Sequence, residues 1–106
     1  MQVAQPATDE ARYRANRQGE IDSAVVYRAM AKAESDARLA SVYLRLAEVE
    51  ERHLSFWEDQ LRALGRDPGP RRPSWRARTM RLLAGRFGAQ LVLPTVATLE
   101  IGRAHV

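Results

Sequence analysis

Apolar residues recur at helical spacing along two long stretches of the chain, with a short polar break between them. This pattern predicts a first helix over about residues 9–34 and a second over about residues 37–64. The break at Ser35 and Asp36 is short, so the two helices are expected to fold back as an antiparallel hairpin. Either residue of the break could cap the second helix.

Capping residues set the other expected boundaries of the hairpin. Thr8 is expected to cap the first helix, with residues 1–7 forming a loose tail. Gly65 is expected to end the second helix in the left-handed backbone conformation that favours glycine, and Pro68 follows three residues later.

The helical pattern resumes beyond a loop rich in glycine and proline. Ser74 can cap a third helix over about residues 75–87, and a further helical segment is predicted over about residues 89–100. Pro94 either kinks that segment or begins a new helix. Because β-branched and aromatic residues are too scattered for strands, we expect an all-α fold: a hairpin of two long helices plus a third, kinked helix.

Composition removes several kinds of chemistry. The 106 residues allow one domain, and the absence of cysteine excludes disulfides, thiolate zinc sites and iron–sulfur centres from this chain. No apolar run reaches the length needed to cross a bilayer. A phosphate-binding glycine loop and a serine-hydrolase motif are also absent from the sequence.

The positions of the aromatic and acidic residues match between the first two helices. Each helix repeats such residues at intervals of seven, which places them along one stripe. An antiparallel hairpin turning at residues 35–36 aligns positions whose numbers sum to about 70. Three pairs meet that condition: Glu20 with Glu50, Tyr27 with Tyr43, and Tyr13 with Trp57.

His53 follows Glu50 by three residues, so both project from nearly the same face of the second helix. Carboxylates with an imidazole suit iron or manganese, and a dication offsets the repulsion between two neighbouring carboxylates. Bundles that hold two iron ions use this arrangement: one glutamate from each of two helices and Glu-x-x-His from each of the other two. Tyr27, Tyr43 and Trp57 are expected either to flank such ligands or simply to pack in the core.

A metal-free interpretation of the same residues stays open. A single Glu-x-x-His spacing arises easily by chance in a charged helix. Most of the nearby acidic residues, among them Glu48, Glu51 and Glu58, are expected to form a solvated face.

Three stretches, covering roughly residues 10–100, carry a resemblance to a known family. They read EIDSAVVYRAMAKAESDARLASVYLRLAEVEERH, RPSWRARTM and RFGAQLVLPTVATLE. They resemble the rubrerythrin-type, ferritin-like domain at the front of bacterial membrane proteins of the vacuolar iron transporter family. The resemblance implies a ferritin-like bundle over residues 8–100 with a di-iron centre.

The resemblance also implies an activity and a setting. The expected activity is oxidation of Fe(II) by dioxygen or peroxide in the service of a fused membrane iron transporter. The full-length protein would lie on the cytoplasmic side of the bacterial inner membrane, and the fragment itself is expected to be soluble. Nucleic acid is not expected as a partner.

The family's ligands transfer to individual positions of this chain. The glutamate of the first helix falls on Glu20, the Glu-x-x-His of the second on Glu50 and His53, and the glutamate of the third on Glu100. The fourth helix, with its second Glu-x-x-His, has no counterpart here. We therefore expect a C-terminally truncated domain, in which a homo-oligomer could supply the missing ligands.

The final six residues, IGRAHV, depart from the apolar pattern. The sequencing-adapter start AGATCGGAAGAGCACACGTC, read after one preceding base, encodes Ile-Gly-Arg-Ala-His-Val, preceded by Glu if that base is G. Residues 101–106 are therefore expected to be non-native, so that His105 is not a ligand and only the first base of the Glu100 codon is native. The codons of the underlying DNA test this expectation.

A basic segment supports an alternative function. Its arginines, interspersed with Trp75 and Phe87, could lie on an anionic membrane surface or form the solvated face of the third helix. The alternative to iron binding is thus a metal-free helical hairpin acting as an oligomerisation or membrane-surface module. The arginines are Arg71, Arg72, Arg76, Arg78, Arg81 and Arg86.

Overall fold

The computed structural model describes residues 6–90 together with Val92 and Pro94. Its three helices are α1 (Pro6–Ala33), α2 (Ala37–Ala63) and α3 (Trp75–Phe87). The two long helices pack along each other as an antiparallel hairpin, and α3 packs against α1. Strands do not occur in this described part of the chain, so the all-α expectation is confirmed.

The first helix begins earlier than expected. It starts at Pro6, so Thr8 lies inside the first turn and does not cap it. Proline suits the first helical position, because the N–H that it lacks would have no partner there and its fixed φ is already helical. The expected loose tail over residues 1–7 is therefore wrong at Pro6 and Ala7, and residues 1–5 lie outside the described part.

Polar side chains cap the starts of α2 and α3. The Asp36 carboxylate accepts a hydrogen bond from the backbone N–H of Arg38 at 2.9 Å, which decides between the two residues of the break. The Ser74 hydroxyl accepts one from the backbone N–H of Ala77 at 3.3 Å, as the sequence predicted. Each bond satisfies a backbone donor that the helix itself leaves unpaired.

The end of α2 also agrees with its sequence. Gly65 adopts a positive φ of 77°. Its N–H donates to the carbonyl of Arg62 at 2.9 Å, and the N–H of Arg66 donates to that of Leu61 at 3.0 Å. This pair of bonds is the Schellman motif, which requires a left-handed residue that glycine adopts at least cost.

The helical structure is interrupted again after α3, at Gly88, whose φ is 93°. The next described residues, Ala89, Gln90, Val92 and Pro94, are helical. The observed break therefore falls at Gly88, and the expected kink or helix start at Pro94 stays a prediction because both neighbours of Pro94 lie outside the described residues. The rest of the predicted segment 89–100, including Glu100, lies outside the described residues, as does the expected non-native tail over 101–106.

The core forms where α1 meets both of its partners. Met30 is fully buried and belongs to one cluster with aromatic residues of the hairpin and small residues of α3. Ala77 and Ala84 are the buried residues of α3, and their small side chains let the backbones of α3 and α1 approach closely. The buried cluster comprises Val26, Tyr27, Met30, Ala31, Tyr43, Ala47, Ala77, Ala84, Ala89 and Val92.

The loop between α2 and α3 is bound to the side of α1 by the buried side chain of Arg17. One guanidinium nitrogen donates to the carbonyl of Pro68 at 2.8 Å, and another donates to that of Gly69 at 2.8 Å. The third donates to the carboxylate of Glu58 at 3.0 Å. Arg17 thus joins all three segments: α1, α2 and the loop.

Glu58 is buried, which contradicts the expectation that it belongs to a solvated face. Besides Arg17, it accepts two hydrogen bonds from Arg71, at 3.0 and 2.7 Å. Burial of a carboxylate is tolerated here because two guanidinium groups neutralise it and donate to both of its oxygens.

Other polar residues of α1 continue this contact along the helix. Gln18 donates to the carbonyl of Arg72 at 2.9 Å. Asp22 accepts from the backbone N–H of Ser74 at 2.8 Å and from its hydroxyl at 2.6 Å. Gln18 and Asp22 are four residues apart and lie on one side of α1. Together with Arg17 they bind the loop along α1 as far as Ser74, where α3 begins.

We predict that Glu58→Gln destabilises the protein and removes part of its acid sensitivity. Hydrogen bonds from Arg71, reinforced by those from Arg17, hold the pKa of Glu58 below its ordinary value, although burial acts in the opposite direction. A lowered pKa contributes stability that is present above the unfolded-state value of about 4.3 and is lost as the pH falls through the folded-state value. Loss of one partner of a buried ion pair costs about 3 kcal/mol.

Urea unfolding at pH 7 and at several values below pH 5 measures both effects. Asp59→Asn is the matched control, because the neighbouring Asp59 pairs with Arg62 in full exposure. Exposed pairs contribute about 0–1 kcal/mol, so the control should unfold like the parent protein. Equal unfolding free energies for the parent and Glu58→Gln would contradict a stabilising role for this ion pair.

Candidate metal centre

Glu20 of α1 and Glu50 of α2 are both buried and lie at the same level of the hairpin. With His53 they form a group in which one ligand atom from each residue lies within 4.8 Å of the other two. The antiparallel register inferred from the sequence is what brings them together. Within the described residues, no further group of three or more potential metal ligands was found.

His53 occupies the open edge of this group. Its Nδ1 atom lies 3.7 Å from Oε2 of Glu20, and 57% of its side chain is exposed to solvent. The spacing of three residues from Glu50 turns the imidazole toward the carboxylates without burying it. The group therefore has two carboxylates on the inside and one imidazole at the surface.

Aromatic residues lie at the two neighbouring levels of the hairpin. The rings of Tyr13 and Trp57 meet with centroids 5.6 Å apart and planes tilted by 33°. Tyr27 and Tyr43 are buried in the core cluster. Burial, and secondarily the charge of Glu34, raises the pKa of Tyr43 above its ordinary value.

The predicted register is confirmed for Glu20 with Glu50 and for Tyr13 with Trp57, while Tyr27 and Tyr43 share one core cluster. They show Tyr27 and Tyr43 as part of the core cluster and Trp57 as the stacking partner of Tyr13. An influence of the three side chains on a bound metal remains a prediction.

The donor set fits a divalent transition metal. Two carboxylates and one imidazole match the preferences of iron and manganese, and three donors leave coordination positions open. Ligands on opposite sides of one ion lie about 4.2 Å apart, twice a bond of about 2.1 Å. The three atoms lie within 4.8 Å of one another, so the side chains must move closer together to bind one ion.

An apolar stripe runs along α2 beside this group. Its members recur at alternating intervals of three and four residues, the spacing of a coiled-coil seam. Most are exposed, and within the described helices α3 packs on α1 and not on this side of α2. We call it the α2 seam; it comprises Leu39, Val42, Leu46, Val49 and Phe56, with His53 occupying the position between the last two.

Two features of this region escaped the sequence analysis. The first is the α2 seam, whose heptad spacing of apolar residues is visible in the sequence itself. The buried pairing of Glu58 with Arg17 had no such signal, because their numbers sum to 75 and so fall outside the register that aligns positions summing to about 70.

Comparisons with known proteins give no relative for this chain: no family model, no curated protein and no solved structure matches it. In the described part of the chain, no helix combines the length and apolar character needed to cross a membrane.

We predict that Glu50→Gln makes the metal-free protein more stable. Two neighbouring carboxylates repel each other inside a hairpin, and a neutral amide of the same shape removes that repulsion. The expected gain is about 1 kcal/mol, typical of relief at a site kept for function. Thermal unfolding in the presence of a chelator measures it, with the exposed Glu48→Gln as the control. A lower melting temperature for Glu50→Gln would show that the paired carboxylates are a stabilising feature of the apo fold.

Proposed function

We propose that the chain is a ferritin-like domain of the rubrerythrin type that binds iron through Glu20, Glu50 and His53. The observation that carries the proposal is the convergence of these three side chains, from two helices, within 4.8 Å. Glu100 is proposed as a further ligand. Manganese is an alternative ion for the same donors.

The two carboxylates would bind the cation from the inside of the hairpin, and their charge would be neutralised by it. His53 would complete the inner set and, being exposed, would lie where ions enter and leave. Iron supplies one electron for each Fe(II) that becomes Fe(III). With peroxide as the oxidant, two Fe(II) ions and two protons convert one hydrogen peroxide into two waters; dioxygen is the other proposed oxidant.

In the full-length protein this activity would serve a fused membrane iron transporter on the cytoplasmic side of the bacterial inner membrane. This part of the proposal rests on the sequence resemblance, which is carried by residues 20–53 and by the stretches RPSWRARTM and RFGAQLVLPTVATLE.

A second copy of the chain is the proposed source of the remaining ligands. Three donors do not fill the coordination sphere of iron, and the α2 seam borders the open edge of the site. Pairing of two seams would bury their apolar residues and bring two sets of Glu20, Glu50 and His53 together.

Metal titration tests the binding proposal. The full chain, freed of metal with a chelator, should bind about one Fe(II) or Co(II) per chain under anaerobic conditions, as measured by calorimetry or by the visible absorption of Co(II). Glu50→Ala and His53→Ala should each lose at least tenfold in affinity, since removing one of three ligands leaves too few donors. Glu48→Gln, on the same helix but exposed, should bind like the parent. No metal uptake by the parent protein would exclude the site as it stands in this chain.

The exposed seam favours a second candidate function, self-association without metal. Sedimentation velocity with and without Fe(II) distinguishes the two. Metal-linked pairing predicts dimers that dissociate when a chelator is added, whereas a metal-free module predicts dimers in both conditions. Leu46→Glu should prevent either kind of pairing. Leu44→Glu is the matched control, because Leu44 is about as exposed (41% against 38%) but lies outside the seam.

A further inference from the structure

The outward side of α3 carries large apolar residues that the fold does not bury. Trp75 is 71% exposed and Leu82 is 72% exposed. They are seven residues apart and so lie on one stripe, while the buried Ala77 and Ala84, also seven apart, lie on the opposite side of the helix. α3 therefore has an inner face of small residues against α1 and an outer apolar stripe.

Arginines surround this outer stripe. α3 has four arginines and no acidic residue, and these four charges equal the net charge of +4 of the whole chain. Two of them lie against aromatic rings: the guanidinium of Arg76 is 5.5 Å from the Trp75 ring centroid, and that of Arg86 is 5.8 Å from the Phe87 ring. The four are Arg76, Arg78, Arg81 and Arg86.

We propose that this outer face of α3 binds an anionic lipid surface, with α3 lying in the plane of the headgroups. Trp75 and Leu82 would enter the boundary between headgroups and acyl chains, and the arginines would contact lipid phosphates. Helices that bind in this way combine an apolar stripe containing tryptophan or leucine with flanking basic residues. Each basic residue near an anionic surface adds to the attraction.

The aliphatic side chain of Leu82 favours lipid over nucleic acid as the partner of this stripe. Single-stranded nucleic acid is bound by aromatic platforms between basic residues. Leu82 is aliphatic and as exposed as Trp75, and it offers nothing on which a base can stack. An acyl-chain boundary accommodates both residues.

Two arginines of the basic segment predicted from the sequence do not belong to the outer face of α3. Arg71 precedes α3, and its guanidinium is bound to the carboxylate of Glu58, so it is not part of the outer face of α3. Arg72 is exposed but belongs to the loop before Ser74. Because α3 packs on α1 and makes no close approach to α2, this surface is separate from Glu20, Glu50 and His53 and does not depend on the proposed metal function.

The test uses the full chain with chelator present, so that iron plays no part. Trp57→Phe leaves Trp75 as the single tryptophan and as a reporter of the α3 surface. Adding vesicles of phosphatidylcholine with about one-third phosphatidylglycerol should shift its fluorescence to shorter wavelength and carry the protein into the vesicle pellet. Vesicles of phosphatidylcholine alone should do neither.

Matched variants then assign the binding to α3. Arg78→Gln with Arg81→Gln should weaken partitioning about 30-fold, since each basic residue at an anionic surface contributes roughly fivefold. Arg45→Gln with Arg52→Gln removes the same charge from exposed positions of α2 and should change binding little. Circular dichroism checks that each variant is as helical as the parent.

The apolar contribution is assigned in the same way. Leu82→Ser should weaken partitioning about tenfold, whereas Phe56→Ser, at an exposed position of α2, should not. Three outcomes would overturn the proposal: an unshifted Trp75 spectrum with anionic vesicles, equal losses in the two arginine pairs, or binding to a single-stranded oligonucleotide without binding to vesicles.

Discussion

The position of α3 depends on the side chain of Arg17. The loop that leads to α3 contains three prolines, and a proline has no N–H, so the loop has few donors with which to form its own structure. Donors to its carbonyls come from α1: Arg17, which also pairs with Glu58, donates to two of them, and Gln18 donates to another. A helix of 13 residues that buries mainly alanines is marginal alone, so its place on α1 follows from where the loop is held.

The placement of α3 on α1 in turn determines which side of the hairpin stays open. Among the three described helices, α2 packs against α1 alone, and the α2 seam and the imidazole of His53 are exposed. Had the loop carried α3 onto α2, the same residues would be buried and the glutamates would be closed from both sides. The half-open state of the candidate site therefore follows from the polar contacts of Arg17, which lies three residues before Glu20 on α1.

Local signals in the sequence predicted the hairpin, its register, and the boundaries that depend on a single residue. Gly65 and Ser74 act through their own backbone or side chain, so neighbouring sequence suffices to identify them. The start of α1 was wrong because two valid signals compete there, a capping threonine and a proline at the first helical position, and the proline prevails.

The buried acidic residues also differ in how much of their environment the local sequence could predict. Glu20, Glu50 and His53 followed from periodicity and register, which are properties of two adjacent helices. Glu58 lies on the buried face of α2, four residues after Leu54 and three before Leu61, so the pattern of that helix already placed it inside. Its partners could not be predicted in the same way, because Arg17 and Arg71 come from other segments of the chain.

The contrast between the buried carboxylates shows how the chain handles internal negative charge. Glu58 lies between the guanidinium groups of Arg17 and Arg71, which are covalently part of the chain and cannot leave. Glu20 and Glu50 face each other beside an imidazole that reaches solvent. Because these guanidinium groups neutralise Glu58 in every folded molecule, the ion pairs are a permanent part of the structure. In the proposed metal site, by contrast, the cation would be a separate ion that reaches the carboxylates through the exposed edge at His53 and can leave the same way.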